Sequence, residues 1–445
     1  MYVFFIVNFR KNIQMKNVLI IGGGTAGIMT AAQLLKQTSF KVSLIEPADY
    51  HYYQPAWTLV GADAYKFEDT KRSMASIMPK GVNWIKEYAS KFDPENNTVE
   101  TTSGKKFEYD FLVVAPGIKI DTNLVEGLTE AIDKGVVCSN YTDPEHTWDV
   151  LKNFKGGTAL FTQPSTPIKC GGAPQKIMYL ADDHFRKIGF RKNTKIVFAT
   201  PGGVIFGVKP IAKTLMEVID RKDINIRYNH KLVKVDGEKK IAWYDITKDP
   251  KVGGCVLLED KTHETDVDET INYNPKQVET VKENNLVGIK FDMLHLAPPQ
   301  SAPDFIKNSP LANDAGWISV DIGTMQHTKY LNIFGLGDAA ALPTAKTGAA
   351  IRKQVPIVVE NIIRLAKSEE LSPNKYNGYS SCPLVTGYGK MVLAEFDYDS
   401  NFTPDPKLKQ LLIFNSDKEH WRLWILKKFM LPYLYWNKML KGHNV

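Results

Sequence analysis

Four cysteines stand at 138, 170, 255 and 382 in a chain of 445 residues. They form no C-x-x-C pair and no zinc-like spacing, and four in so long a chain do not make a disulfide framework. All four could be buried thiols, or two could be reactive. Cys170 has the stronger context for reactivity. In Thr166-Pro-Ile-Lys169-Cys170-Gly-Gly-Ala-Pro174-Gln-Lys176 it precedes a helix-like run and is flanked by two lysines. A helix N-terminus and nearby ammonium groups both favour thiolate over thiol. Cys382 lies in Tyr379-Ser-Ser-Cys382-Pro-Leu-Val-Thr-Gly387, read as a loop. Cys138 and Cys255 read as bystanders, Cys255 beside Gly253-Gly254 in a charged, irregular stretch over 236–285. The nine histidines show no H-x-x-H or H-E-x-x-H pattern, so no metal site is expected.

Thiols need a partner in redox chemistry, and the rest of the chain supplies a place for one. Val18-Leu-Ile-Ile ends in Gly22-Gly-Gly24-Thr25-Ala26-Gly27, and a helix-compatible run follows. The three glycines match the G-x-G-x-x-G dinucleotide fingerprint: one for the tight turn, one for backbone approach to a diphosphate, one for helix–strand contact. Lys41-Val-Ser-Leu-Ile-Glu46 is a second strand, ending in an acid placed for ribose hydroxyls. The aromatic loop around Gln54 is suited to line a ring system. Trp84–Ala89 reads as one strand, with the Ala89 backbone toward an adenine and a turn at Asp93-Pro94. Tyr109–Gly117 reads as a buried strand running into a turn at Ala115-Pro-Gly117.

A second signature, Leu331-Asn-Ile-Phe-Gly-Leu-Gly337-Asp338, precedes a helix start at Lys346-Thr347-Gly348-Ala349-Ala350-Ile351. Asp338 can hold a ribityl hydroxyl, and the helix N-terminus can face a flavin carbonyl. The two signatures in this order favour FAD over NAD as the tightly held cofactor. Between them a second βαβ unit repeats the rhythm, but its nucleotide loop reads Thr200-Pro-Gly-Gly-Val-Ile205-Phe206-Gly207. Pro201 removes a donor and the bulky side chains crowd the approach, so tight NAD(P) binding is not expected. Two thiols beside an isoalloxazine would make a redox disulfide.

The expected architecture is α/β: two doubly wound, three-layer, Rossmann-like domains, which the resemblance drawn below makes of the flavin disulfide reductase type, plus a C-terminal amphipathic helical membrane-binding segment. The boundaries are an N-terminal extension at 1–14, ahead of Met15; a first part of the FAD domain at 15–130; a degenerate second domain at 131–290; a return to the FAD domain from Phe291 through 371; and a C-terminal region at 372–445. The net charge is +7, with six Lys/Arg against one Glu between Lys418 and Lys441. That stretch also carries Trp421, Trp424, Phe429 and Trp436, and reads as two short amphipathic helices split by Pro432. Aromatics among basic residues mark a helix lying in a membrane interface. The resemblance drawn from these residues makes Phe396 and Tyr398 candidate quinone-lining aromatics. No apolar run is long enough to span a bilayer, and the modest charge points to no nucleic-acid partner.

At these residues the chain resembles the sulfide:quinone oxidoreductases, mitochondrial-type branch, of the flavin disulfide reductase-like superfamily. The matching stretches are Gly22–Gly27, Tyr53–Gly61, Thr166–Leu180, Gly337-Asp338, and Ser381–Gly387 running into Leu393–Asp397. The resemblance implies that hydrosulfide attacks Cys382, leaving a persulfide there and a thiolate at Cys170 that faces the flavin. Lys176 would steady that thiolate. A thiol, sulfite or sulfide would remove the persulfide sulfur. Two electrons would reach ubiquinone or menaquinone through FAD held without a covalent link. The protein would be monotopic on a bacterial or mitochondrial inner membrane. The lack of an Arg-rich presequence favours the bacterial one, and a homo-oligomer is left open. The enzymatic alternatives are a type II NADH:quinone oxidoreductase and a soluble flavocytochrome-type sulfide dehydrogenase. The non-enzymatic one is a flavin-fold binding or signalling protein.

Overall fold

The computed structural model describes residues 15–246 and 278–444 together with the backbone of 272–273. The 1–14 extension, Cys255 and much of the charged insertion lie outside the described residues.

The apolar run Val18–Ile21 is the centre of a five-stranded parallel sheet. In spatial order its strands are Ile333–Gly335, Phe111–Val114, Asn17–Ile21, Lys41–Ile45 and Asn83–Ile85. Strands buried on both faces have no polar face to alternate with, which is why Ile20, Leu44, Leu112, Val113 and Val114 are all without exposure. Helix Thr25–Gln37 joins the first two strands and packs with helix Gly348–Ala366 against the same core. The expected single strand over Trp84–Ala89 is two. Pairing with the sheet ends when the Glu46 N–H takes the Ile85 carbonyl at 3.0 Å, and Ala89–Asp93 begins a separate antiparallel sheet with Thr98–Thr101 and Lys106–Glu108. The turn at Asp93-Pro94 is present.

The second unit is built on Val137–Cys138, Met293–Leu296, Gly157–Thr162, Thr194–Ala199 and Asn225–Arg227, all parallel, with Asn272–Tyr273 antiparallel at the edge. Helices Ala173–Lys187 and Lys209–Lys222 connect its strands. Met293–Leu296 departs from the expected boundary. That strand was expected to reopen the first domain, yet it lies inside the second sheet, between Val137–Cys138 and Gly157–Thr162. A buried apolar strand carries no mark of which parallel sheet it joins. The crossing comes later, where Gln300–Ser301 pairs with Lys119–Ile120.

Beyond the second signature the chain forms a hairpin of Ser380–Gly387 and Lys390–Phe396. A helical path then runs from Trp421 to Met439. The expected break at Pro432 does not occur, because two π stretches, Leu426–Met430 and Tyr435–Met439, flank the short α-turn Leu431–Leu434 that holds it. Widened turns absorb the missing proline donor. Among the described residues no helix is long and apolar enough to cross a membrane.

Candidate active site

The glycines of the first loop separate into distinct roles. Gly22 has φ +100°, and a Cβ there would sit 2.4 Å from the Ala115 carbonyl oxygen. A Cβ on Gly27 would sit 1.8 Å from the Gly22 oxygen, so only hydrogen allows the helix to start so close to the strand. Gly24 meets nothing within 4 Å. It is also the N-cap of Thr25–Gln37, with no side-chain cap and no acid in the first turn. The open side of Gly24 and the helix's positive end therefore fit a diphosphate. Glu46 accepts the Gly23 N–H at 2.6 Å and the Ala48 N–H at 2.8 Å, which fixes its carboxylate at the loop's edge.

The second signature meets the first. Gly337, at φ +70°, lies where a Cβ would be 3.4 Å from that of Ala26 and 3.8 Å from Ile351. Thr347 caps helix Gly348–Ala366 by accepting the Ala350 N–H at 3.1 Å, and Gly348, like Gly117, opens onto space. Ala349 is half-buried against the first core. Lys346 donates to the Asp338 carbonyl at 2.6 Å and to Ala340 at 3.1 Å. Burial brings the Lys346 ammonium down to about 8 and raises the Asp338 carboxyl. Gln54 accepts from Lys169, whose backbone bridges to Lys346. The first loop, Glu46, Ala115 and Gly337 thus meet through these contacts, with Lys346 joined to Asp338 and Gln54 to Lys169, while Ala89 begins the separate small sheet.

The cysteine site adjoins these residues. Cys170 adopts a left-handed conformation, φ +56°, rare for a side-chain-bearing residue and typical of functional turns. Three hydrogen bonds hold it: Cys170 N–H to the Lys346 carbonyl at 2.9 Å, and its own carbonyl accepting from the Ala173 N–H at 2.9 Å and the Tyr141 hydroxyl at 3.1 Å. A Cβ on Gly172 would come 2.3 Å from Leu384 Cδ2, so this glycine lets the turn lie flush on the Cys382 strand. Cys382, expected on a loop, is in strand Ser380–Gly387 and 1% exposed. Pro383 disguised the strand, but a hairpin edge tolerates proline.

Cys382 is hydrogen-bonded to the Cys170 sulfur, and this bond is the largest influence holding the Cys170 thiol well below its usual value. Lys176 adds to it with its ammonium 2.9 Å from Cys170 Sγ. Lys176 reaches the sulfur from the first turns of helix Ala173–Lys187. Cys138, by contrast, is pushed up to about 12 by burial, and its thiol points at the Leu294 carbonyl, so it is no nucleophile.

Lys427 also belongs here, although the sequence reading counted it only among the basic residues of the C-terminal segment. It is 2% exposed, donates to the Pro55 carbonyl at 2.6 Å, and feels both cysteines. Burial, and then the Lys176 charge, lower it to about 7. The spacing of Leu423, Leu426 and Lys427, all buried, was the available signal: they share one helical face.

The degenerate nucleotide loop is filled by its own side chains. Ile205 and Phe206 are buried, and Gln175 donates to the Ile205 carbonyl at 2.7 Å. Phe206 meets Phe396 edge-on at 6.1 Å, and with Pro343, Ala345 and Tyr398 they line a cleft. The aromatics of the C-terminal helix divide. Trp421 and Phe429 are exposed, Trp424 is half-buried against Tyr388, and Trp436 turns inward, edge-on to His51 at 5.7 Å and under Arg72. Trp436, expected among the membrane or quinone aromatics, is half-buried because the helix's last turns pack on the first core.

A family model described as pyridine nucleotide-disulphide oxidoreductase matches residues 16–150. The mitochondrial sulfide:quinone oxidoreductase of Mus musculus is 41% identical over 429 residues, 96% of this chain and 86% of the relative. That of Dictyostelium discoideum is 38% identical over 439 residues, 97% of this chain and 88% of the relative. The solved sulfide:quinone oxidoreductase of Aquifex aeolicus superposes with a TM-score of 0.69 at 20% identity, over 96% of this chain and 92% of that one, a likeness of fold. Relatives this similar over nearly their whole lengths establish that the chain belongs to the sulfide:quinone oxidoreductase family.

Proposed function

We propose that the chain oxidises hydrogen sulfide at Cys170 and Cys382 and passes the electrons through FAD to a membrane quinone. The observation that carries this reading is the buried pair itself, with the Lys176 ammonium 2.9 Å from Cys170 Sγ, in a chain whose relatives carry that activity in their names.

In the oxidised enzyme the two sulfurs form a disulfide. Hydrosulfide attacks Cys382 Sγ, and the S–S bond breaks toward Cys170. The products are a Cys382 persulfide, which holds the sulfane sulfur, and a Cys170 thiolate, which holds the released electron pair. A low-pKa thiol is the better leaving group, and the Lys176 ammonium beside Cys170 Sγ gives it that character. The buried Lys176 ammonium, and Lys427 when protonated, also favour anion entry. A nucleophilic acceptor, whether thiol, sulfite or further sulfide, then takes the sulfane sulfur and leaves Cys382 as thiolate. Re-forming the disulfide releases two electrons. FAD, when bound without a covalent link, supplies the two-electron carrier between the thiol pair and the quinone. Gly22, Gly24, Gly27, Glu46, Gly337 and the amides from Thr347 to Ile351 would hold it.

The exposed apolar stripe Trp421, Ile425, Phe429 and Tyr433 follows an i, i+4 repeat with basic neighbours. It supports peripheral attachment to a membrane, where a lipophilic quinone is dissolved. Phe396 and Tyr398, with Phe206, would offer an aromatic cleft to the quinone ring.

The test is anaerobic mixing of the purified holoprotein with sulfide or with NADH while the flavin absorbance is followed. Sulfide bleaches the flavin and NADH does not; the reverse result overturns the reading. Cys170→Ser and Cys382→Ser each abolish sulfide-driven bleaching. Normal turnover in either removes the disulfide mechanism.

A further inference from the structure

The inner face of the C-terminal helix closes a hydrogen-bonded chain on the dinucleotide loop. The Tyr435 hydroxyl is 2.7 Å from Thr25 Oγ1, 410 residues away in sequence, and 2.5 Å from His51 Nε2. His51 Nδ1 is 3.2 Å from the Gly23 carbonyl oxygen. His51 and Tyr435 are both buried. One proton arrangement satisfies every contact. The Gly23 oxygen only accepts, so His51 carries its proton on Nδ1. Burial keeps the ring neutral, with its pKa brought down to about 4, so Nε2 accepts. Tyr435 therefore donates to His51, and Thr25 donates to Tyr435.

Gly23 is consequently gripped at both ends: Glu46 takes its N–H at 2.6 Å and His51 donates to its carbonyl. The rest of the C-terminal segment follows the same helix. The Tyr53 and Tyr435 ring centroids are 4.7 Å apart, Gly442 lies where a Cβ would be 2.9 Å from that of Ala32, and Gln33 donates to Asn444 at 3.0 Å. The outer face of the same helical path carries the exposed Trp421, Ile425, Phe429 and Tyr433.

We propose that Tyr435 and His51 are positioning residues of the cofactor site. They hold Gly23–Thr25 in the conformation that presents Gly24 and the first helix amides to the diphosphate, and so make the C-terminal helix a clamp on bound FAD. The proposal rests on the FAD reading above.

The experiment measures FAD dissociation from the full-length holoprotein by the fluorescence of released flavin, beside the melting temperature of the apoprotein. Tyr435→Phe removes only the hydroxyl that links Thr25 to His51. It weakens FAD binding about tenfold, the effect of a buried hydrogen-bonded link, with the apoprotein melting temperature unchanged. His51→Phe weakens binding similarly, and the double variant is no weaker than the stronger single, because both cut one chain. Asn437→Ala, on the exposed side of the same turn, leaves FAD affinity at the wild-type value. Wild-type affinity in Tyr435→Phe overturns the proposal, as does equal weakening by Asn437→Ala, which would mark general fraying of the helix. A wild-type protein that binds no FAD overturns the cofactor reading itself and the proposal with it.

Discussion

Lys176 Nζ lies 2.9 Å from Cys170 Sγ, from a side chain only 3% exposed at the start of its helix. An ammonium at that distance and so little hydrated is a strong local charge. In the proposed mechanism it faces the sulfur that leaves as a thiolate when hydrosulfide attacks its partner. Lys427 sets a second buried amine near the same pair, brought down to about 7 by burial, so its charge there depends on pH.

Lys176→Met keeps the length of the side chain and removes the charge. The Cys170 thiol then rises toward its ordinary value, because an adjacent opposite charge is lost. The thiolate-dependent limb of the pH–rate profile moves up with it, and sulfide turnover near neutrality falls about 10- to 100-fold and recovers in part as pH rises. Lys176→Arg retains most of the wild-type profile. A Met variant with an unmoved profile would show that the ammonium does not govern the thiolate.

Lys427→Met separates stability from activity. The folded-state value is about 7 against an ordinary 10.5. Between these values the unfolded chain holds a proton that the folded chain has released, so stability rises with pH across that window. Below about 7 both states are protonated and the penalty for burying the charge is complete. Methionine removes that penalty and leaves the Pro55 carbonyl unpaired, a loss of about 1 kcal/mol. The variant melts at the same or a higher temperature than wild type at pH 6, its gain disappears by pH 10, and its sulfide turnover is lower. A variant that melts lower at pH 6 and keeps full turnover contradicts this account.

What could be read from the sequence was locally encoded. Gly22, Gly24, Gly27 and Glu46 sit within one βαβ unit, and Gly337-Asp338 within one strand end, so spacing alone placed them. Lys176 was legible because it shares a short segment with Cys170. Lys427 was not, because its burial depends on the second core receiving the Leu423–Leu426 face. The strand of Cys382 hid behind Pro383, and the placement of Met293–Leu296 depended on which of two parallel sheets had a gap. Pro432 misled for a related reason: a proline ends a regular α-helix, but the π turns around it keep the path continuous.

The exposed stripe predicts membrane partitioning. Trp421, Phe429 and Tyr433 are 59%, 57% and 59% exposed. Burying each aromatic in the interface contributes about 1.5 kcal/mol. Replacing all three by serine lowers the vesicle partition coefficient by at least about 100-fold. Co-sedimentation with vesicles measures this directly. Turnover with a long-tailed quinone in vesicles falls further than turnover with a short-chain quinone in detergent. Unchanged sedimentation would assign the stripe to another partner.

Two glycines three positions apart should respond in opposite ways to the same substitution. Gly27→Ala forces a methyl to within 1.8 Å of the Gly22 carbonyl oxygen, a backbone atom held by the tight turn. Neither the strand end nor the helix can shift without breaking the sheet register, so the variant loses several kcal/mol and fails to accumulate as folded protein. Gly24→Ala places its methyl in open space at a residue with φ −71° and extended ψ, which alanine adopts without strain. The apoprotein therefore folds and melts close to wild type. The methyl instead stands where the diphosphate must approach the backbone, and FAD affinity falls at least about tenfold. Flavin content after purification, set beside the apoprotein melting temperature, distinguishes the two. A Gly24→Ala protein that keeps full flavin content would mean that the diphosphate does not pass over Gly24.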